Sequence, residues 1–134
     1  DHQPVSIYVS LDTRRDYLYV DDGAALVCDF VDRAVLEPPG SPPIVKILAS
    51  GQSVTIATLL GEFRRLTRQG LRVVVAPSAA ARAQAHDLRF CSRQWPELDR
   101  RTMTPLPVAI AATLADIQRR VQRGTLLPVG SAGT

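Results

Sequence analysis

Residues 5–20 open the chain with a period of two. Val5, Ile7, Val9 and Leu11 alternate with Ser6, Tyr8 and Ser10, the pattern of a half-buried strand. Asp12-Thr13-Arg14-Arg15-Asp16 is polar and turn-like, and Tyr17–Val20 reads as a second strand, so the segment predicts a hairpin. After Asp21-Asp22-Gly23 the period lengthens. Leu26, Val27, Phe30, Val31, Ala34 and Val35 recur at helical spacing, with Asp29, Asp32 and Arg33 on the other face. Asp21 or Asp22 is the expected cap; an extended strand over 24–30 is the competing reading. Pro38-Pro39-Gly40-Ser41-Pro42-Pro43 ends whatever precedes it.

The second half repeats strand and helix. Ile44-Val45-Lys46-Ile47-Leu48 is apolar and β-branched and reads as a strand. A helix from about Ser53 to Gln69 follows, with Ile56, Leu59, Leu60, Phe63 and Leu66 on one face and Gly70 as its stop. Leu71-Arg72-Val73-Val74-Val75-Ala76 has the near-continuous apolar character of a central strand. An alanine-rich helix is expected from about Ala79 to Ser92, broken by Trp95-Pro96. A last helix runs from Thr104-Pro105-Leu106-Pro107 to about Arg123, with Gly124 ending it. The order is β-β-α-β-α-β-α-α. It predicts an α/β fold: one domain over residues 1–128, a mixed sheet with helices packed on it, and a C-terminal tail over 129–134. A helix between the strands at 44–48 and 71–76 implies a right-handed parallel crossover.

Length and charge narrow the function classes. At 134 residues the chain suits one domain and is too short for a barrel enzyme or a two-domain dehydrogenase. No run of about 18 apolar residues occurs, so no membrane span is expected. The first residues lack a basic and apolar leader, so a cytoplasmic location is expected. The net charge is only +3, but it is unevenly placed. Residues 1–62 carry a net charge of −5, and residues 63–134 carry +8. Lys46 is the single lysine among 16 basic residues, so the basic half is an arginine half. Its candidate patch is Arg64, Arg65, Arg68, Arg72, Arg119, Arg120 and Arg123, which would attract nucleic acid in a salt-dependent way. Charge balance within one fold, or between two copies, accounts for the same asymmetry.

Candidate chemistry is sparse. Cys28 and Cys91 have no cysteine or histidine at zinc-ligand spacing and are expected to be buried free thiols, a Cys28–Cys91 bridge being the alternative. His86 stands alone, so no metal site is expected. Gly51-Gln52-Ser53 is half of a nucleophile elbow, but Thr55 stands where the closing glycine belongs. A metal-dependent nuclease could draw on Asp21, Asp22, Asp29, Asp32 and Glu37, yet a helix cap and a solvated face account for them more simply. No cofactor motif is present, and no cofactor is expected. The best local feature is the connection Ala49-Ser50-Gly51-Gln52-Ser53-Val54-Thr55, where a strand end meets a helix start and free amides favour anions. Ser50, Gly51, Ser53 and Thr55, together with Ser78 in the parallel connection at Pro77-Ser78, are the candidates for partner binding or phosphorylation; the plain alternative is capping.

The segment 43–51, the run Leu59-Leu60-Gly61-Glu62-Phe63-Arg64-Arg65-Leu66 and the segment 70–78 together resemble the STAS domain, the family of anti-sigma-factor antagonists and sulphate-transporter tails. The resemblance is one of pattern, covers roughly residues 5–92, and is tightest over 43–80. Antagonist-type members carry Asp-Ser-Ser-Gly before the second helix and are phosphorylated there. Here the connection is shorter and has no aspartate; Ser53 or Thr55 lies nearest that position. The resemblance implies a non-enzymatic, regulatory module that docks a protein partner at this edge. A convergent α/β layout gives the same pattern. A nucleic-acid-associated protein or small nuclease or toxin domain, acting through the arginines, is the alternative, and self-association is open.

Overall fold

Two backbone ladders organise the first part of the chain, and both join residues far apart in sequence. In the computed structural model the described residues are 4–68, 72–76 and 86–125. Strand β1 (Val5–Ile7) pairs in parallel with β4 (Val73–Val75), Val5 facing Val73. The ladder is flanked by Val5 N–H to Arg72 O and Ala76 N–H to Ile7 O, both 2.8 Å. Strand β2 (Arg14–Asp16) pairs antiparallel with β3 (Ser53–Thr55). The chain is thus an α/β protein with mixed parallel and antiparallel pairing.

The expected hairpin over 5–20 does not form. β1 and β2 each take a distant partner, and the residues between them serve the second helix. The carbonyls of Thr13 and Leu11 accept the first amides of α2 (Ile56–Thr67), from Ile56 at 3.0 Å and Ala57 at 2.9 Å. Helix α1 (Val20–Ala34) begins where a strand over 17–20 was expected to end. Asp21 and Asp22 fall in its first turn, where the helix dipole favours negative charge. α2 starts later than predicted because Ser53–Thr55 are drawn into the β2 ladder. It ends at Arg68, which takes the left-handed conformation (φ 53°) and returns its N–H to Arg64 O at 3.2 Å. Gly70 lies outside the described residues.

The apolar run 44–48 alternates in burial but has no regular secondary structure and joins no ladder among the described residues. Val45 is 83% exposed. Its anchor is a side chain: Lys46 Nζ donates to Gln94 O at 2.8 Å and to Asp99 Oδ1 at 2.9 Å. The parallel crossover expected from this run is therefore made by β1 and β4 instead.

Residues 77–85 of the expected alanine-rich helix lie outside the described residues, and 86–92 are not helical. Arg14 N–H donates to His86 O at 2.8 Å, and Leu88 N–H to Arg14 O at 3.2 Å, forming a parallel bridge beside β2. Tertiary pairing with β2 outweighs local helix propensity there.

Packing centres on the inner face of α1. Leu26 is 1% exposed, and Trp95, in the left-handed region at φ 45°, is buried as well. Phe30 lies 5.3 Å from the Trp95 ring, tilted by 46°, and the Arg33 guanidinium sits 4.7 Å above it. The turn of 3-10 helix Pro96–Arg100 follows. Arg33 reaches Glu97 at 3.8 Å, and Arg101 reaches Asp29 at 2.6 Å, so ion pairs border the apolar contact. Residues 1–103 make one compact unit and 104–134 a second. The second carries α3 (Leu106–Gln122), which starts after Pro105 and terminates at Gly124 (φ 69°), as the sequence predicts. The expected 129–134 tail lies outside the described residues.

Candidate functional site

A single carboxylate holds the connection that the sequence singles out. Asp16 ends β2 beside the 50–52 loop. Its Oδ1 accepts from Ser50 N–H at 3.0 Å and Ser50 Oγ–H at 2.6 Å; its Oδ2 accepts from Gly51 N–H at 3.0 Å and, more weakly, from Phe90 N–H at 3.5 Å. Ser50 Oγ in turn accepts from Gln52 N–H at 3.1 Å. Gly51 stands at φ 70°, a conformation that costs a residue with a Cβ roughly 1–2 kcal/mol. On the facing segment, Arg89 Nε donates to Gly51 O at 2.7 Å. The loop is therefore gripped by an acid through its amides and by a guanidinium through its carbonyl.

These contacts shape the lips of a cleft of about 300 Å³. Residues 47–52 form one wall and 89–92 another, and Asp99 joins the lining. Its surface mixes the apolar groups of Ile47, Ala49 and Phe90 with the polar groups of Ser50, Gln52 and Ser92. Small-molecule sites have this composition, and the volume falls at the lower end of their range. Asp99 also receives the Lys46 ammonium, whose side chain has no solvent-exposed surface.

The candidate hydroxyls separate into distinct roles. Ser50 and Gly51 line the cleft. Thr55 caps α2, accepting Thr58 N–H at 3.0 Å. Ser53 is tied to Arg14, whose Nε donates to Ser53 Oγ at 3.2 Å and whose terminal nitrogen donates to Ser53 O at 2.7 Å. With Ile56 and Ala57 bonded to the 11–13 turn and Thr58 to Thr55, the first amides of α2 are engaged by the protein itself. Ser78 lies outside the described residues.

The candidate basic residues are also partly committed. Arg65 pairs with Glu62 at 2.8 Å. Arg119 and Arg120 both reach Asp116, at 3.3 and 2.7 Å. Arg64, Arg68, Arg72 and Arg123 are exposed. Arg72 O also accepts the Val5 amide of the β1 ladder. Of the two residues that build the cleft lips, Asp16 was not a sequence candidate, and Arg89 stood out only as one arginine of the basic half. The available signal was a Ser-Gly loop whose adjacent amides need an acceptor.

A smaller polar cluster tethers the end of the 86–92 segment. His86 Nε2 lies 3.0 Å from Asp12 Oδ2, and Ser10 Oγ–H also donates to Asp12. The Ser10 hydroxyl and then His86 hold the Asp12 carboxyl below its usual range. Burial pushes the Tyr17 phenol up. Cys28 and Cys91 are free, as expected, but both are exposed where burial was expected. Among the described residues, no group of three or more His, Cys, Asp or Glu side chains is placed to hold a metal ion, and no helix is long and apolar enough to cross a membrane.

The outer face of α1 is the other unusual surface. Val20, Ala24, Val27, Cys28, Val31 and Val35 are all exposed. They fall on one arc of the helix, at the spacing of a buried stripe. Val20 is 71% exposed and Val35 73%. The sequence expectation placed Leu26, Val27, Phe30, Val31, Ala34 and Val35 together on a buried face. The structure divides them, burying Leu26 and packing Phe30 on Trp95 while leaving Val27, Val31 and Val35 outside.

No protein-family model matches the sequence, and no curated protein is significantly similar to it. Among solved structures, a partial consensus L-threonine 3-dehydrogenase (E-change) superposes with a TM-score of 0.58 over 87% of this chain, at 17% identity. At that identity the likeness is one of fold. The chain spans 38% of the dehydrogenase's length.

Proposed function

We propose that this chain is a docking part of a larger dehydrogenase-like protein, attached to the remainder through the outer face of α1, and that it performs no catalysis on its own. The observation that carries this reading is the exposed stripe of Val20, Val27, Val31 and Val35. Four valines in line on a helix favour burial by roughly 1.5 kcal/mol or more each, and contiguous apolar surface of this kind marks an interaction site. The acidic border at Asp21 and Asp32, both exposed, suits a partner surface that is apolar with basic residues at its rim. The support for this kind of partner is that the matched dehydrogenase has a further part of its own chain beyond the 38% that this one spans. The interaction-module expectation from the sequence is kept, with its docking edge moved from the 49–55 connection to α1. The STAS resemblance remains a proposal of pattern only.

Cys28 lies within the stripe and reports on it directly. In the isolated chain, maleimide labels both Cys28 and Cys91, because both are exposed. In native extract, labelling before denaturation leaves Cys28 protected while Cys91 reacts. Equal reactivity of the two thiols in native extract would overturn the reading.

A further inference from the structure

The cleft beside Asp16 carries a ligand class of its own, independent of how α1 docks. Its lining contains two charged side chains among the described residues, Arg89 and Asp99. They do not cancel each other, because Asp99 already has a cation. Lys46 Nζ donates to Asp99 Oδ1 at 2.9 Å from a side chain with no exposed surface. An ammonium so enclosed persists only with a charged, hydrogen-bonded partner, and Asp99 and Gln94 O supply it. Asp16 does not line the cleft, and its oxygens are occupied by Ser50, Gly51 and Phe90. The charge that remains on the lining is the single positive charge of Arg89.

Arg89 is also held in place. Its Nε donates to Gly51 O at 2.7 Å, which fixes the guanidinium plane against the loop. The remaining N–H donors of a guanidinium form a planar fork that matches a carboxylate. Around it the wall is apolar at Ile47, Ala49 and Phe90. One uncompensated cation beside a short apolar wall suits a monoanion with a hydrocarbon body. A phosphate dianion would ask for more donors and more positive charge.

We infer that this cleft binds a small monocarboxylate, its carboxylate on Arg89 and its hydrocarbon body against Ile47 and Phe90. Lys46 is a positioning residue that neutralises Asp99 and so keeps the cleft receptive to an anion.

The test is a backbone-amide NMR titration of the full chain with sodium butyrate, its neutral isostere butyramide, and inorganic phosphate. Butyrate gives saturable shifts at Ser50–Gln52 and Phe90–Ser92, with dissociation in the millimolar range that befits so small a probe. Butyramide and phosphate each bind about tenfold more weakly or worse. Arg89→Gln, whose amide can still reach Gly51 O, loses about tenfold in butyrate affinity. Lys46→Met uncovers the acid of Asp99 and weakens butyrate about threefold, and adding Asp99→Asn to Lys46→Met restores the parent affinity. Recovery of affinity in the double variant is a result that loss of folding cannot mimic. Binding of butyramide as tight as butyrate, tighter binding of phosphate, unrestored binding in the double variant, or no saturable shift with butyrate would each overturn the assignment.

Discussion

The lips of the cleft and the outer face of α1 are opposite kinds of surface. At the cleft, every element is tied by directed polar bonds. Asp16 alone joins β2 to the 50–51 loop and to Phe90, and Arg89 closes the loop from the other side. On the outer face of α1, an apolar stripe of the right period lies open to solvent. The loop of the first region is held within the chain, with the outer donors of Arg89 turned to a ligand. The second has the composition of a core and the exposure of a surface. A fold does not keep such a stripe for its own stability, because a helix gains tertiary stability only from the face it buries. The difference separates a loop fixed by directed polar bonds from a helix face that the chain leaves uncovered.

The largest effect tests the buried side of the same helix. Leu26→Ala should cost about 3 kcal/mol in urea unfolding, since Leu26 is fully enclosed and its removal leaves a cavity beneath α1. A cost below about 1 kcal/mol would mean that α1 is not anchored by its inner face, and the contrast with the outer face would fail. Next comes Asp16→Ala, expected to cost about 2 kcal/mol. It leaves the amides of Ser50 and Gly51 without their acceptor, and part-buried donors of that kind are expensive to strand. Amide exchange should rise at residues 50–52 and 90 before it rises in α1.

Three helices were legible in the sequence, the helix expected over 79–92 is not helical at 86–92, and the strand pairings were not legible. α3 ends at Gly124 and α2 near Arg68 because periodicity and end signals are written within about four residues of where they act. The ladders are set by encounters between remote segments. Nothing near Val5 indicates Val73 as its partner, and nothing near Arg14 indicates His86 and Asp87. The hairpin expectation failed for that reason, because a period of two identifies a strand without identifying its neighbour. The candidate loop fared in between. Ser50 and Gly51 stood out as a strand-to-helix connection, but their acceptor is one of 13 acidic residues in the chain, and only the tertiary structure selects Asp16. Period identified α1 as a helix but grouped on one face residues that the structure divides, Leu26 inside and Val27, Val31 and Val35 outside.

Gly51→Ala sharpens the cleft side of the comparison at a smaller scale. The added Cβ meets no atom within 4 Å, so the cost is purely conformational, about 1 kcal/mol from φ 70°. The expected result is a modest fall in the unfolding midpoint with altered amide shifts at residues 50–52 and 89–90. An unchanged spectrum would show that the loop does not depend on its left-handed turn. Smaller still is the acid response of the Asp12 tether. Its folded pKa is depressed by Ser10 and His86, so its contribution is present above the ordinary carboxylate pKa and is lost as pH falls through the lower, folded value. Because the pair is exposed, the loss should show as local loosening of residues 10–13 and 86 in an NMR pH titration, without global unfolding above that pH.

The smallest stability effect carries the most information about the outer face. Val31→Lys places a good helix former near the C-terminal end of α1, where a cation also suits the dipole. Val31 is 50% exposed, so its side chain contributes little to the fold of the chain alone. The unfolding free energy of the isolated chain should therefore stay within about 0.5 kcal/mol of the parent. In the native assembly the same substitution would bury an ammonium in an apolar interface, which is far more costly. The predicted signature is an intact isolated chain that no longer protects Cys28 in native extract. If Val31→Lys destabilised the isolated chain as strongly as Leu26→Ala, the outer face would belong to the chain's own core and the contrast between the two regions would collapse. If it left both stability and Cys28 protection untouched, the stripe would be exposed without docking anything.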